Sequence, residues 1–312
     1  MSAARKPRAL RPGDLVGVAA PAGPVDEERL RRGVAELERL GFTVRVAVGV
    51  LERRGFTAGS VENRLRQLHD LFADPAVRAI VCARGGAGAI QLLPALDRDL
   101  LDENPKPLVG YSDVTLLHLE MERLGITSLH GPMAARELAD GETAYDRASL
   151  WHGLTGEGEP YASGPDDLVA LAPGTGEGVL RGGCLSLLAA AAGTAWALRS
   201  TDEPTLLFVE DVDEKPYRLD RMLRQLRASG ALQGVTGVVF GEMKGCAPGL
   251  DEDYRLEEVL LEALEGFDVP VASGLSSGHT SRPNVTLPFG VRARLECVGG
   301  GASFAALEAP VE

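Results

Sequence analysis

Five short apolar runs punctuate the first half of the chain, with amphipathic stretches between them, and this alternation constrains the fold more than any other feature. The runs are LVGVAAP (15–21), FTVRVAV (42–48), VRAIVCA (77–83), KPLVGYS (106–112) and ITSLHG (126–131). Between them, Leu30, Val34, Leu37 and Leu40 share one helical face, and Leu65, Leu68 and Phe72 share another. Leu116, Leu117, Leu119 and Leu124 follow Ser112 in the same way. A β-α-β-α order of this kind predicts a doubly wound, mostly parallel sheet with helices on both faces. Ligands of such sheets sit outside the carboxyl ends of the strands, so functional residues are expected directly after strands.

A chain of 312 residues exceeds the usual size of one domain, so two are expected. Residues 153–178 are rich in Gly, Pro, Glu and Asp, which suits a connection better than a packed element. The predicted division is an N-terminal α/β domain over 1–152, a linker over 153–166 and a smaller mixed α/β domain over 167–312. The second domain carries strand-like runs at 168–173, 178–182, 205–210, 234–241, 269–274 and 291–298. Two helical stretches interrupt them, one through Leu219, Met222, Leu223 and Leu226, the other through Leu256, Val259, Leu260 and Leu264.

Charge and cysteine usage narrow the function. The formal net charge is −13 with no Lys- or Arg-rich block, which argues against nucleic acid or an anionic membrane as partner. The basic N-terminus is followed by no apolar segment long enough for a signal peptide, and no run approaches the about 18 apolar residues of a membrane span. Cys82, Cys184, Cys246 and Cys297 lie far apart without a CxxC pair, so neither a disulfide framework nor a zinc site is expected. A reducing, cytoplasmic setting and no cofactor are the resulting expectations.

Four segments could carry chemistry. In VGYSDVT (109–115), Ser112 stands between a buried strand and a leucine-rich helix, two residues after Gly110. That resembles a nucleophile elbow, although Val114 occupies the place of its second glycine. A helix-capping serine would have the same setting. CARGGAGAI (82–90) places Gly85, Gly86 and Gly88 at another strand-to-helix junction. Its backbone N–H groups could hold a phosphate or an oxyanion, or the loop could be a plain tight turn. The dinucleotide fingerprint fails, because its last glycine position falls on Gln91.

TLLFVEDVDEK (205–215) ends an apolar strand on Glu210, followed by Asp211, Asp213 and Glu214. An acidic loop is ordinarily just solvated, yet a carboxylate closing such a strand also suits a site. SGLSSGHTSRPN (273–284) sets His279 in a polar loop after a strand, where a general base is expected. His69, His118 and His152 read as ordinary surface or core residues, and His130 is a weaker candidate. Ser112, Glu210 and His279 each end or follow a strand.

Taken together, these segments resemble the LD-carboxypeptidase (muramoyltetrapeptide carboxypeptidase) family of serine peptidases. The resemblance runs from GDLVGVAAPAGPVD to GHTSRPNVTLPFG through CARGG, GYSDVT, HGPM, GGCLSLLAAAAGT and EDVDEKPYRLDRML. It implies Ser112 as nucleophile, Glu210 as orienting acid and His279 as base, with the backbone of Asp113 and Gly86 as oxyanion donors. It also implies a C-terminal swivelling β/β/α-like domain and a homodimer. The implied substrate is a murein tetrapeptide, cleaved at an L-to-D bond to release D-alanine in cell-wall recycling. Arg84 and Arg282 are candidates for binding the terminal carboxylate, since a guanidinium suits that group.

The chain departs from the family pattern at Ala87 and Gln91, where a tyrosine and an arginine are frequent, and at Cys184, where GGNLSLL is frequent. Substrate preference is what these departures affect. One alternative keeps the same three residues in a peptidase of the microcin C immunity type, acting on aminoacyl- or peptidyl-nucleotide amides. A more distant one is a non-catalytic, phosphate- or nucleotide-binding α/β protein.

Overall fold

The computed structural model describes residues 4–249 and 251–312, which divide into two compact units. The first comprises residues 4–159 together with 282–290 and 309–312. Its elements are β1 (Leu15–Ala19), α1 (Glu27–Arg39), β2 (Thr43–Val46), α2 (Val61–Ala73), β3 (Val77–Cys82), α3 (Arg98–Glu103), β4 (Leu108–Gly110), α4 (Thr115–Arg123), β5 (Ser128–His130), α5 (Glu137–Asp140) and α6 (Arg147–Thr155). The second unit, mainly residues 160–281 and 291–308, holds β6 (Ala162–Ala172), β7 (Gly174–Cys184), α7 (Leu185–Ala191), β8 (Thr205–Glu210), α8 (Pro216–Ala228), β9 (Val235–Gly241), α9 (Leu256–Ala263) and β10 (Val271–Leu275). After β11 (Leu287–Phe289), which belongs to the first unit, it is completed by β12 (Arg292–Val298) and β13 (Gly301–Ala306).

The first unit is the parallel-sheet domain read from the alternation. Its six strands run in the order β11-β5-β4-β3-β1-β2, with β1 to β5 parallel and β11 antiparallel at the far edge. Local chemistry starts the helices where the periodicity does. Asp26 caps α1 by accepting from the Arg29 N–H, and Ser60 caps α2 by accepting from Asn63. On α2, Leu65, Leu68, Leu71 and Phe72 are buried, each contributing about 1.5–3 kcal/mol of transfer free energy. The core cluster includes Val16, Val18, Val81, Val109, Leu37 and Phe42, all at most 3% exposed.

The second unit closes a seven-stranded barrel in the order β10-β6-β13-β12-β7-β8-β9. Neighbours β7-β8, β8-β9 and β9-β10 are parallel, and the other pairs are antiparallel. Both strands that follow the expected linker are longer than their apolar runs. The stretch 153–166 is not a free linker: its first residues finish α6, which stops at Gly156 in the left-handed region (φ 71°), and β6 has begun by Ala162. Pairing with β13 overrides the turn-like composition, since Ser163 lies opposite Phe304 and the register shifts between this pair and Leu168–Ala302, the stretch that contains Pro165. Nor is one cut enough, because residues 282–290 and 309–312 return to the first unit.

Among the described residues, no helix is long and apolar enough to cross a membrane, and no group of three or more His, Cys, Asp or Glu could hold a metal ion. All four cysteines are free and buried.

Candidate active site

In the first unit the site begins at the end of β4. Tyr111 is extended, and Ser112 then takes φ 63°, the left-handed region that side chains other than glycine rarely adopt. A turn over Ser112–Val114 leads into α4. The helix-cap expectation fails: Val114 holds the N-cap position of α4, and no side-chain capping bond forms there. Strain of this sort costs on the order of 1–3 kcal/mol and persists where the surroundings enforce it.

Part of that enforcement comes from the glycine loop. A Cβ on Gly85 would stand 2.7 Å from the Ser112 Cβ and 2.9 Å from its Oγ, so only glycine lets the two strand ends approach this closely. The Asp113 carboxylate, 3% exposed, accepts from the Ala89 N–H at 2.7 Å and ties the loop to the serine turn. Burial raises the pKa of Asp113, while the Ala89 N–H and Arg64 pull it the other way. Gly86 is exposed with φ 122°, and Gly23 donates its N–H to the Gly85 carbonyl at 3.1 Å. Arg84 is partly engaged, with Nε donating to the Gly85 carbonyl and Nη1 to that of Pro24. Arg282 is exposed and falls in this first unit.

In the second unit Glu210 closes β8 with 1% exposure. Its Oε2 accepts from the backbone N–H of His279 at 3.0 Å and from the ring Nδ1 at 2.7 Å. A carboxylate oxygen accepts, so Nδ1 carries the proton in this bond. Gly278 makes this contact possible: it has φ 88°, and a Cβ there would lie 2.6 Å from the Glu210 carboxyl carbon. The neighbouring carboxylates have other occupations. Asp211, 3% exposed, accepts from the Ser186 and Val212 N–H groups at 2.7 and 2.9 Å. Asp213 is exposed with φ 56°. Cys184 is buried, and burial together with Glu210 and Asp211 raises its thiol pKa.

Sequence reasoning missed the segment after β9. Glu242 accepts from the Ser281 N–H at 2.7 Å, and the Lys244 ammonium donates to the Thr280 carbonyl at 3.2 Å, so both hold the loop that carries His279. The strand-end rule that found Glu210 applies equally to GEMKG after β9, which was the available signal. Other histidines have ordinary roles. His130 packs its ring against Tyr111, His118 and Phe289, and the His69 Nε2 accepts from the Asp97 N–H.

The serine turn lies at a strand end of the parallel unit and the Glu–His pair at strand ends of the barrel unit, and matching family models put the chain in the class of serine-type carboxypeptidases. The family model for the LD-carboxypeptidase N-terminal domain matches residues 16–131, and that for the LD-carboxypeptidase C-terminal domain matches residues 177–295. The chain belongs to the LD-carboxypeptidase family. It is 36% identical over 293 residues to a probable murein peptide carboxypeptidase of Bacillus subtilis, covering 93% of this chain and 91% of that one. Among solved structures it resembles the muramoyltetrapeptide carboxypeptidase of Oxalobacter formigenes (TM-score 0.84, 30% identity, 95% of this chain and 100% of that one). It also resembles an MccF-like protein of Bacillus anthracis (TM-score 0.88, 28% identity, 98% and 100%).

Proposed function

We propose that this chain is a serine carboxypeptidase that hydrolyses the L-to-D peptide bond of murein tetrapeptides and releases the terminal D-alanine. The observation that carries the reading is the Glu210–His279 pair, in which a buried carboxylate accepts from the ring Nδ1. Its support in the serine turn is the left-handed Ser112, held against Gly85.

In this reading His279 Nε2 takes the proton of Ser112 Oγ as the oxygen attacks the peptide carbonyl. Collapse of the tetrahedral intermediate breaks the C–N bond, and the imidazolium returns the proton to the leaving amine of D-alanine. Water then repeats the sequence on the acyl-enzyme. Glu210 keeps the ring in its tautomer and stabilises the imidazolium without being protonated itself. The backbone N–H groups of Asp113 and Gly86 receive the oxyanion, a contribution of roughly 3–4 kcal/mol per donor in comparable sites. Arg84 and Arg282 are the proposed partners of the free carboxylate that defines a carboxypeptidase substrate. No cofactor is required. A cytoplasmic homodimer acting in cell-wall recycling completes the proposal, and four buried free thiols suit a reducing compartment.

Mass spectrometry of purified murein tetrapeptide after incubation tests the reading. The expected product is the tripeptide plus free D-alanine. An aminoacyl-sulfamoyl adenosine is the second substrate to offer, because of the likeness to the MccF-like structure. Hydrolysis of that amide with the tetrapeptide left intact would replace the murein reading.

A further inference from the structure

We infer that Arg64, on α2, is a positioning residue for catalysis: it fixes the glycine loop that abuts Ser112. The inference rests on Ser112 being the nucleophile and extends that reading to a residue on a helix outside the proposed catalytic set.

Arg64 has no exposed surface. Its Nη1 donates to the Pro21 and Gly88 carbonyls, both at 2.8 Å, and its Nη2 donates to the Gln91 side-chain oxygen at 2.6 Å. Pro21 follows β1, whereas Gly88 and Gln91 belong to the segment after β3, so one guanidinium fork joins two strand-end loops. The Gly23 N–H to Gly85 carbonyl bond makes a second stitch between the same loops. At its other end the loop is tied to the Asp113 carboxylate through Ala89. The backbone is thus held at Gly85 by the Gly23 N–H and, beyond Gly86, by Arg64 through Gly88 and by Asp113 through Ala89.

A buried guanidinium is costly unless its charge and its donors are met. Here the Asp113 carboxylate supplies opposing charge, yet Nε remains without a partner. An apolar residue would fill the same space without that cost. What an apolar residue cannot do is hold two carbonyls and an amide oxygen in one rigid plane. The planar fork fixes the Pro21–Ala22 and Gly88–Ala89 peptides, and the N–H of the second is the one that Asp113 accepts, so the fork sets the path of the loop two residues from Gly86. Oxyanion donors act through their direction, since a misplacement of about 1 Å can remove much of their effect.

The test uses the full-length protein with Arg64→Met and Arg64→Lys beside wild type and Ser112→Ala. Two rates are measured: tetrapeptide hydrolysis, and covalent labelling by an alkyl fluorophosphonate followed by intact mass. In labelling, Ser112 Oγ forms a bond to phosphorus, fluoride departs, and the serine proton passes to the base. The adduct places an oxygen where the oxyanion would lie, so the rate reads the loop independently of peptide recognition. Arg64→Met is expected to lower kcat about 10- to 100-fold with KM within about 3-fold, and to lower the labelling rate in parallel. The pH profile should keep its limbs, because the Glu210–His279 pair is untouched. Arg64→Lys keeps the charge and one donor direction, and should recover part of the loss.

If Arg64→Met does not fold, Arg64→Lys carries the test, with an expected loss of about tenfold. A folded variant that labels within about twofold of wild type overturns the inference. So does a loss that merely tracks the folded fraction on thermal unfolding. Failure of the underlying reading looks different: Ser112→Ala would label or hydrolyse like wild type, or wild type would resist the label altogether.

Discussion

The left-handed backbone of Ser112 separates what the residue does for the fold from what it does for chemistry. Serine at φ 63° is strained, whereas glycine adopts that conformation freely. Ser112→Gly should therefore fold with a melting temperature equal to or above that of Ser112→Ala, and release essentially no D-alanine. Substantial carboxypeptidase activity in Ser112→Gly would mean that the nucleophile lies elsewhere. The acidic run after β8 divides in the same way. Glu210→Gln removes the anionic acceptor of the His279 Nδ1 proton and should cut turnover by about 10²–10⁴-fold. Asp211→Ala orphans two part-buried N–H groups and should cost about 1 kcal/mol in stability. Asp213→Asn should leave turnover within a few-fold, since asparagine tolerates the left-handed region that Asp213 occupies. Steady-state kinetics and thermal melts on the three variants check this. Equal loss of turnover in Glu210→Gln and Asp213→Asn would show that the loop acts collectively.

Strand ends were the legible elements, because apolar runs and their flanking residues are local properties of the chain. The first-unit sheet followed from that rule, which also made Ser112, Glu210 and His279 candidates, while the roles proposed for them came from the family resemblance. The β6 pairing did not, because the partner of Ser163 lies on β13 and composition carries no record of so distant a neighbour. Arg64, which holds two loops through its side chain from inside α2, was hidden for the same reason. His118 shows an element whose role only packing reveals. It sits in α4, 2% exposed, with Nε2 against the Gly110 carbonyl at 2.8 Å and Nδ1 against the Ser128 hydroxyl at 2.9 Å. The carbonyl can only accept, so Nε2 holds the proton and Nδ1 accepts from Ser128. Burial is the main cause that lowers its pKa to about 4, partly opposed by the Gly110 bond. Between about pH 4 and pH 6.5 the unfolded chain binds a proton that the folded one does not, so stability falls as pH falls through that window. The difference amounts to about 3 kcal/mol. Urea unfolding from pH 4 to 7 should show a steeper pH dependence for wild type than for His118→Gln. Parallel curves would mean that the buried imidazole is already protonated or already hydrated.

At the scale of the whole chain, the path between the two units decides what can be separated. The chain leaves the first unit after residue 159, returns for 282–290, leaves again and ends in it at 309–312. The returning segment is structural: β11 covers the edge of β5, with Leu287 opposite His130 and Phe289 opposite Ser128. The tail is tied down as well, because the Pro310 carbonyl accepts from the Thr127 hydroxyl and the Glu312 N–H donates to the Pro7 carbonyl. A fragment of residues 1–159 therefore keeps five parallel strands but loses Val285, Leu287 and Phe289, each at most 6% exposed. At about 1.5–3 kcal/mol apiece, those three side chains contribute roughly 5–9 kcal/mol, which is comparable to the entire stability of an ordinary domain. The β5 edge would also be left unpaired, an invitation to aggregation. The fragment should bind a hydrophobic dye, lack a sharp near-ultraviolet dichroism signal and melt without a cooperative transition. A peptide of residues 282–312 added in trans should restore part of that cooperativity. A cooperative melt of the bare fragment at the temperature of the intact protein would show that the first unit folds without its returning strand, and that the composition-based division after residue 152 was nearer the energetic boundary than the contacts of β11 imply.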